Sequence, residues 1–276
     1  RIGSVAKVGG SYGMLMTDIL PARDDQGQVL LNYSDTRRAV YERRSGVVQE
    51  LGDMQPDFLG SMSTSLRWKN LSLHVGLDMR IGGLVAMYSN RYGSNAGWTK
   101  TSLKYRDAAS GGLTWTSQYA GGSNGITYED GVILEGVFAP GTSATGIDGK
   151  SHDISGMTHQ QAIDAGIIEP THASAYHVFR NSWGEGVVND DWVHELSYIA
   201  LRDITLSYRM PKSIASKIGA KGLNLSLAAR NVGYIYNSLP NNVHPESVRG
   251  NRSAEFRIRG YEPYIRNYTF TINAEF

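Results

Sequence analysis

The clearest pattern along the chain is an alternation of apolar and polar residues between positions 60 and 81. Before Lys69-Asn70, apolar residues such as Met62 and Leu66 alternate with polar ones, and from Leu71 to Ile81 every second residue is apolar. A period of two is typical of strands rather than helices. The pattern predicts a β-hairpin with arms of about ten residues, the length that a tilted strand needs to cross a bilayer. A soluble sandwich with its polar face in outside water would show the same alternation, so the pattern alone leaves both structures open.

A second alternating stretch runs from Tyr198 to Met210. Its predicted apolar face consists of Tyr198, Ala200, Ile204, Leu206, Tyr208 and Met210. Arg202 interrupts this face, which suggests a position at an interface. Pro211 has no N–H to donate and is predicted to end the strand. After a short connection at 212–222 that contains one helical turn, the alternation resumes from Leu223 to Arg230.

A third alternating stretch covers the last residues of the sequence. Its apolar positions are Tyr268, Phe270, Ile272, Ala274 and Phe276. An aromatic final residue on such a strand resembles the signal that the assembly machinery of outer-membrane barrels reads; the alternative is a strand that happens to end there. We predict that Tyr268, Phe270 and Phe276 form a barrel-assembly signal.

Long segments rich in Gly, Ser, Asn and Asp separate the predicted strands, at 82–130, 139–192 and 237–263. Structureless connections of this length are uncommon inside a compact domain. Outer-membrane barrels are an exception, because they combine short periplasmic turns with long extracellular loops. The short connections at 69–70 and 211–222 and the long ones fall at opposite ends of the strands, and this asymmetry favours a membrane barrel.

Composition narrows the class of protein. Lys and Arg total 27 and Asp and Glu 26, a net charge of +1 that argues against a nucleic-acid partner. The absence of cysteine excludes cysteine catalysis and thiolate metal sites. The sequence has no apolar run long enough for a transmembrane helix, and its mean hydropathy of −0.32 is compatible with alternating membrane strands. The 16 Tyr and 5 Trp suit a membrane–water interface.

Short blocks of sequence occur in a particular order and spacing along the chain. They are Gln55-Pro56-Asp57-Phe58-Leu59-Gly60, Trp68-Lys69-Asn70-Leu71-Ser72-Leu73, Asp78-x-Arg80-x-Gly82-Gly83, Ser197 to Tyr208 with Met210-Pro211-Lys212, Ala229-Arg230-Asn231-Val232, and Asn267-Tyr268-Thr269-Phe270. Together they resemble SusC-like TonB-dependent transporters of the bacterial outer membrane. The sequence departs from the family at Ala229, where Gly is frequent, and at Val232-Gly233, where Leu-Phe is frequent. The segment 140–190 resembles no block of the family.

The resemblance implies an all-β fold in which residues 1–276 are the C-terminal portion of one transmembrane antiparallel β-barrel domain of about 22 strands with long extracellular loops. It implies a plug, N-terminal domains and a TonB-binding segment outside these residues. It also implies a SusD-like surface lipoprotein, outer-membrane lipid around the barrel, and a dimer of SusC–SusD-type pairs. Lipid does not tolerate open sheet edges, so we expect other residues or a second polypeptide to complete the barrel.

Two groups of side chains are candidates for contact with a transported solute. Charged residues on the predicted polar faces would line a solute path or touch the plug, and simple solvation of a wet lumen is the alternative: Arg67, Asp78, Arg80, Asp203, Arg209 and Arg230. Aromatic residues in the predicted loops would stack on sugar rings or bury peptide side chains, and a role in loop cores or an interface belt is the alternative: Tyr92, Trp98, Trp115 and Trp183.

The sequence contains no recognisable catalytic constellation, metal-ligand set or cofactor motif. His172 and His177 are near each other, but they lie in a predicted loop with no helix to set ligand geometry, and they are expected to be solvated. We therefore predict no enzymatic activity, no metal and no cofactor.

Three functions remain in view. The leading one is active import of oligomeric nutrients across the outer membrane, with oligosaccharides ahead of oligopeptides. The second is a passive porin or structural barrel, which the strands alone would fit. The third is a secreted β-sandwich that binds or hydrolyses glycans; hydrolysis would need a facing pair of carboxylates, and no convincing pair is present.

Overall fold

The computed structural model describes residues 2–34, 37–43, 48–120, 123–181, 190–248, 257–260 and 263–276. About 47% of the chain is strand and 16% helix, which confirms the predicted all-β class. The chain divides into two compact units. The first contains Arg1–Val5, Met14–Leu51 and Ala86–Val193, and the second contains Ala6–Gly13, Gly52–Val85 and His194–Phe276.

The strands, in chain order, are β1 (Ile2–Val5), β2 (Met14–Thr17), β3 (Leu30–Ser34), β4 (Arg38–Tyr41), β5 (Gln49–Asp53), β6 (Phe58–Trp68), β7 (Leu71–Ile81), β8 (Leu84–Met87), β9 (Leu113–Thr116), β10 (Thr127–Val132), β11 (Val137–Phe138), β12 (Ser143–Thr145), β13 (Ser151–Asp153), β14 (Thr171–His172), β15 (Val193–Glu195), β16 (Tyr198–Arg209), β17 (Gly222–Asn237), β18 (Arg257–Ile258) and β19 (Asn267–Glu275). The α-helices are α1 (Tyr88–Asn95), α2 (His159–Asp164), α3 (Ala173–Asn181) and α4 (Lys212–Ala215). Short 3-10 helices lie at Lys100–Leu103, Ala108–Ser110, Asp190–Trp192, Ser216–Ile218 and Pro240–Asn242.

The second unit is built on a five-stranded sheet in the order β19-β17-β16-β7-β6. Every neighbouring pair is antiparallel. The hairpin predicted at 60–81 is confirmed as β6 and β7, which pair from Phe58↔Ile81 to Trp68↔Leu71. Lys69 turns the chain with a φ of 52°. The alternation in sequence therefore sets both the strands and their register, because a slip of one residue would reverse the two faces.

Apolar side chains form rows that run across all five strands on one face. In the row near the middle of the sheet, Leu66, Leu73, Leu206, Leu227 and Phe270 stand opposite one another in turn. The next row, one residue along each strand and therefore on the opposite face, contains Ser65, His74, Thr205, Ala228 and Thr269. The sheet thus has an apolar face and a polar face along its whole width.

A β-bulge in β16 changes part of the predicted face assignment. Leu201 pairs with Leu77 and Asp203 pairs with Gly76, so Arg202 is an extra residue that has no partner position on β7. Residues before the bulge are shifted by one relative to those after it. The prediction that Tyr198 and Ala200 share a face with Ile204 is therefore wrong, since these two residues stand opposite Arg80 and Asp78 on the polar face.

The connections between these strands differ at the two ends, as predicted. The turn between β6 and β7 and the connection between β16 and β17 lie at one end, and the long segments after β7 and β17 lie at the other. The predicted helical turn in the short connection is present as α4 and the 3-10 helix that follows it. However, β17 continues to Asn237, well beyond the predicted alternation that ended at Arg230.

The first unit corrects the expectation that 82–130 and 139–192 are structureless loops. Both segments contain short strands and helices. Residues 139–192 contribute Ala144, Ile154, Ala162, Ile168 and Ala173 to a buried core, and Tyr105 of 82–130 packs against it. The rest of this core comes from outside the two segments: Leu31, Ala39, Val132, Leu134 and Phe138. Strands of two to six residues show too few alternations to be recognised by period, and the glycines between them resemble loop composition.

Small sheets frame this core. The order β14-β10-β9 gives one three-stranded sheet, with β9 at its edge. In another, β3 pairs with β4 antiparallel and with β11 parallel. Helix α2 begins at a capping box, in which the Thr158 side chain accepts from the Gln161 N–H and the Gln161 side chain accepts from the Thr158 N–H. Within the part of the chain that the structure describes, no α-helix is long and apolar enough to cross a membrane.

Candidate functional site

The six charged residues that the sequence singled out all lie on the polar face of the five-stranded sheet. Arg67 stands opposite Ser72, Asp203 opposite Arg230 and Arg209 opposite Asn224, while Asp78 and Arg80 follow the same alternation on β7. Arg67, Arg209 and Arg230 are exposed, whereas Asp78, Arg80 and Asp203 are half-buried. Their common face is established, and a role in lining a lumen remains a prediction.

Arg202 organises a charged cluster on this face. Because the bulge turns it away from the apolar side, its Nε donates to Asp78 Oδ2 at 2.5 Å and its Nη1 donates to Glu246 Oε2 at 2.8 Å. The third guanidinium nitrogen, Nη2, donates to Glu246 Oε1 at 2.5 Å, so the Arg202–Glu246 pair is bidentate. The Tyr234 hydroxyl also donates to Glu246 at 2.7 Å. This cluster ties the segment after β17 to the sheet.

The electrostatics of Glu246 follow from these contacts. Partial burial raises the pKa of its carboxyl, but hydrogen bonds from Arg202 and Tyr234 and the positive charge of Arg202 outweigh burial, so the pKa lies below its ordinary value. Glu246 is therefore ionised at neutral pH and available for the ion pair.

A chain of polar contacts links three further residues on this face. Ser65 Oγ lies 2.9 Å from His74 Nδ1, and His74 Nε2 lies 3.2 Å from Asp203 Oδ1. Gly76 leaves room for this carboxylate, because a β-carbon there would overlap it. The order Ser–His–Asp is that of a hydrolytic triad, but N–H groups alternate in direction along a strand and do not converge into an oxyanion hole at Ser65. The geometry fits a hydrogen-bonded polar surface rather than a nucleophilic site.

Arg80 lies at the wall of a small cavity within the second unit. Its Nε donates to the Leu196 carbonyl at 3.1 Å and its Nη2 donates to the Met54 carbonyl at 3.0 Å. The cavity, of about 210 Å³, is also lined by Tyr198 and Glu246. Because two carbonyl oxygens already use the guanidinium, Arg80 holds neighbouring backbone in place.

The apolar face of the sheet is exposed although its side chains are large. Leu66 is 61% exposed, Leu227 55% and Phe270 63%. The residues predicted as a barrel-assembly signal belong to the same surface, with Tyr268 70% exposed and Phe276 73% exposed. Water-soluble proteins rarely expose a continuous apolar surface that crosses a whole sheet, so this face requires a nonpolar environment.

The predicted loop aromatics fall in three different situations. Tyr92 and Trp98 project from the first unit, and Trp98 is 86% exposed. Trp115 packs instead in an aromatic cluster, stacked on Tyr128 with ring centres 5.1 Å apart and tilted against His172 at 5.0 Å. Trp183 lies outside the described residues. Ligand contact remains a prediction for Tyr92, Trp98 and Trp115.

The histidines near 172–177 are not the solvated loop residues that were expected. His177 lies on α3, is buried, and places Nε2 2.8 Å from the Lys104 carbonyl oxygen; burial lowers its pKa. His172 is half-buried and pairs with Asp130 at 3.1 Å. The prediction was wrong because α3 and the sheet beside it were not recognised. Among the described residues no group of His, Asp and Glu side chains has metal-ligand geometry.

Sequence reasoning missed Arg202, Glu246 and Tyr234 as parts of the charged cluster. Arg202 did break the apolar alternation, and a charged residue in such a position is the available sign of a bulge. Nothing in the local pattern marks Glu246, because its partner is 44 residues away along the chain.

No protein-family model and no curated protein matches the sequence. The chain is similar to solved structures of the RagAB peptide importer. In the "open-open" state the identity is 14% and the TM-score 0.46, over 96% of this chain and 23% of that chain. In the "closed-closed" state the identity is 14% and the TM-score 0.42, over 99% of this chain and 22% of that chain. The chain thus spans less than a quarter of the length of these solved chains.

Proposed function

We propose that this chain forms part of the wall of an outer-membrane β-barrel that imports nutrients actively. The observation that carries the proposal is the exposed apolar face opposite a charged polar face on one antiparallel sheet. Strands of 11 residues, such as β6 and β7, are about 36 Å long, and at a tilt of about 45° they cover the roughly 25 Å apolar band of an outer membrane. Lipid would contact one face and the water-filled interior the other.

The sequence blocks shared with SusC-like transporters support a more specific assignment. We propose that the cargo is an oligomeric nutrient, either an oligosaccharide or an oligopeptide, that a SusD-like surface lipoprotein completes the binding site, and that TonB supplies energy through a plug. The charged residues of the polar face would then meet the plug or the solute. The transporter would be located in the bacterial outer membrane, with no catalytic step and no cofactor.

The first test is the composition of the native complex. We expect mass-spectrometric peptide mapping of the complex, purified from outer membranes in detergent, to find plug-domain peptides and a surface lipoprotein together with this chain. Recovery of this chain in the soluble fraction, without detergent, would exclude a membrane barrel.

The second test separates active import from a passive porin. Cells that carry the complex are given fluorescent oligosaccharides and oligopeptides, with and without a protonophore. Active import predicts that uptake of one class stops when the proton-motive force collapses. Uptake that persists would assign the polar face to a passive pore instead.

A further inference from the structure

A groove of about 390 Å³ lies within the first unit, beside the edge strand β9. All four residues of β9 line it, and its other walls are mainly aliphatic, with Ile133, Ile147 and Ile163 half-buried and Ile168 buried. A volume of this size admits one or two amino-acid side chains or a small ring system. The half-buried isoleucines remain partly in contact with water when the groove is empty, so an apolar occupant would release that water.

The groove offers no free charge. Its carboxylate, Glu169, is buried and already accepts hydrogen bonds from the Ser117 hydroxyl at 3.1 Å, from the Tyr119 N–H at 3.2 Å and from the Gln118 N–H. An ionised ligand group would lose its hydration here without gaining a counter-charge. Beside the aliphatic residues the groove is lined by Thr114, Thr116, Gln118 and Gln160, whose side chains can donate and accept hydrogen bonds. The groove therefore complements uncharged side chains, with the isoleucines favouring their apolar parts.

The backbone of β9 provides the polar part of the site. The Ser117 N–H donates to the Ile126 carbonyl, on the side of β10. Because N–H groups alternate along a strand, Trp115 also faces β10, and Thr114 and Thr116 turn their N–H and C=O groups to the outer edge. Within the described ranges of the chain, neither threonine backbone has a partner on that edge. An unpaired edge of this kind can accept an extended peptide as a further strand.

We propose that β9 and its groove bind an extended peptide segment by strand addition, with alternate apolar side chains of the peptide in the isoleucine-lined groove. Backbone pairing with Thr114 and Thr116 would supply affinity that does not depend on sequence. The groove would select uncharged aliphatic side chains at alternate positions, since successive side chains of a strand point to opposite faces. This proposal rests on the proposed import function and narrows its cargo to peptides.

The test is equilibrium binding to the complete complex, purified in detergent. The probe is a fluorescein-labelled peptide amide of sequence Thr-Val-Thr-Val-Thr, followed by fluorescence anisotropy. A version methylated on alternate backbone nitrogens cannot form the ladder, and a version with Ser in place of both Val cannot fill the groove. We expect each altered peptide to bind at least about tenfold more weakly than the parent.

Three variants of the protein test the same edge and its groove. Thr114→Pro removes one outward N–H while the bonds of Trp115 to β10 remain, and should weaken binding of the parent peptide at least about tenfold. Thr114→Val keeps the backbone N–H and should bind within about twofold of the unaltered complex. The extra variant Leu113→Asp adds a charge at the groove and should weaken the parent peptide in the same way.

Three results would overturn the proposal: no saturable binding of the parent peptide, equal binding of the N-methylated peptide, or competition by maltopentaose as strong as that by unlabelled peptide. These binding results are independent of the protonophore experiment. Loss of peptide binding with energised uptake intact would reject the β9 site alone, whereas protonophore-insensitive uptake with peptide binding intact would reject active import alone.

Discussion

At the scale of single residues, the bulge at Arg202 determines which side chains share the polar face near the beginning of β16. One extra residue at this point places both Arg202 and Asp203 on the side of Asp78, where the guanidinium can reach two carboxylates. Without the bulge, strict alternation would direct Arg202 to the apolar face, where a charge facing lipid costs about 0–1 kcal/mol near an interface and about 2–4 kcal/mol at the midplane. The bulge therefore keeps the charge of Arg202 off the apolar face.

The Arg202 cluster leads to a prediction about the segment that follows β17. In Arg202→Met, Asp78 and Glu246 lose their shared cation, and amides between 239 and 248 should exchange hydrogen about fivefold faster, equivalent to about 1 kcal/mol for a partly exposed ion pair. Hydrogen exchange of the complex in detergent measures this. Arg209→Met, an exposed arginine on the same face, is the matched control and should leave these rates unchanged.

The pH dependence of the same cluster has a definite sign. In the folded protein the pKa of Glu246 lies below its ordinary value. Its contribution to stability is therefore fully present above the pKa of the unfolded chain, and it is lost as the pH falls through the pKa of the folded state. Protection of 239–248 should hold at neutral pH and decline only in acid below about pH 4.5, the ordinary glutamate value. Protection that is the same in Arg202→Met as in the unaltered chain would refute the cluster's role.

His159, which is buried in the first unit, gives a second prediction about how stability depends on pH. Burial lowers its pKa to about 4, against the opposing hydrogen bond to the Glu169 carbonyl, and its Nδ1 accepts from the Leu134 N–H at 3.0 Å. In the unfolded chain this histidine binds a proton near pH 6.5, whereas in the folded protein it does so only near pH 4. Protonation therefore favours the unfolded state, and the free energy of unfolding decreases by up to roughly 3 kcal/mol as the pH falls from 6.5 toward about 4.

The measurement is hydrogen exchange of core amides in the first unit at pH 7.5 and pH 5, corrected for the intrinsic effect of pH on exchange. His159→Asn offers an acceptor for the Leu134 N–H but does not titrate, so it should reduce the difference between the two pH values. His152→Asn, at a half-exposed histidine paired with Asp148, should not. An unchanged pH dependence in His159→Asn would exclude His159 as its source.

At the scale of elements, the long strands and the short ones follow different rules. Strands β6 and β7 have 11 residues each, and β16 keeps one alternation from Asp203 to Arg209, so all three can be recognised in the sequence. The two-residue β11 and β14 carry no period and depend on partners far along the chain. Helix α2 is short as well, and its capping box compensates by satisfying N–H groups at its first turn.

The capping box of α2 gives an element-scale prediction. Thr158→Ala removes the side-chain acceptor for the Gln161 N–H and should destabilise the helix by about 1 kcal/mol, whereas Thr158→Ser retains the hydroxyl and most of the stability. Amides between 159 and 165 should exchange about fivefold faster in Thr158→Ala only. Equal exchange in the two variants would mean that core packing of Ala162, rather than the cap, holds the helix.

At the scale of the whole molecule, the two faces of the five-stranded sheet are the property that determines where the protein can reside. An exposed row from Leu66 to Phe270 requires lipid or another nonpolar partner, and the ion pairs behind it require water or protein. Neither face by itself distinguishes a barrel from a sandwich. The apolar face is the exposed one, which is what the proposed membrane location requires.

Adjacent residues on β17 test this assignment. Leu227→Lys places a charge on the apolar face and should oppose membrane insertion by about 2–4 kcal/mol, whereas Ala228→Lys places the same charge on the polar face and should be tolerated. The amount of heat-modifiable protein in outer membranes, compared by gel electrophoresis, reports assembly. If both variants assemble equally well, the apolar face does not contact lipid.

The sequence alone determined the all-β class, the hairpin at 60–81, the short and long connections and the common face of Asp78, Asp203 and Arg230. Each of these follows from local alternation, which a strand converts directly into two faces. Only the tertiary structure decided the bulge at Arg202, the partnership of Arg202 with Glu246 and the packed first unit where loops were expected. Those features depend on residues far apart in the chain, whose contacts no local period records.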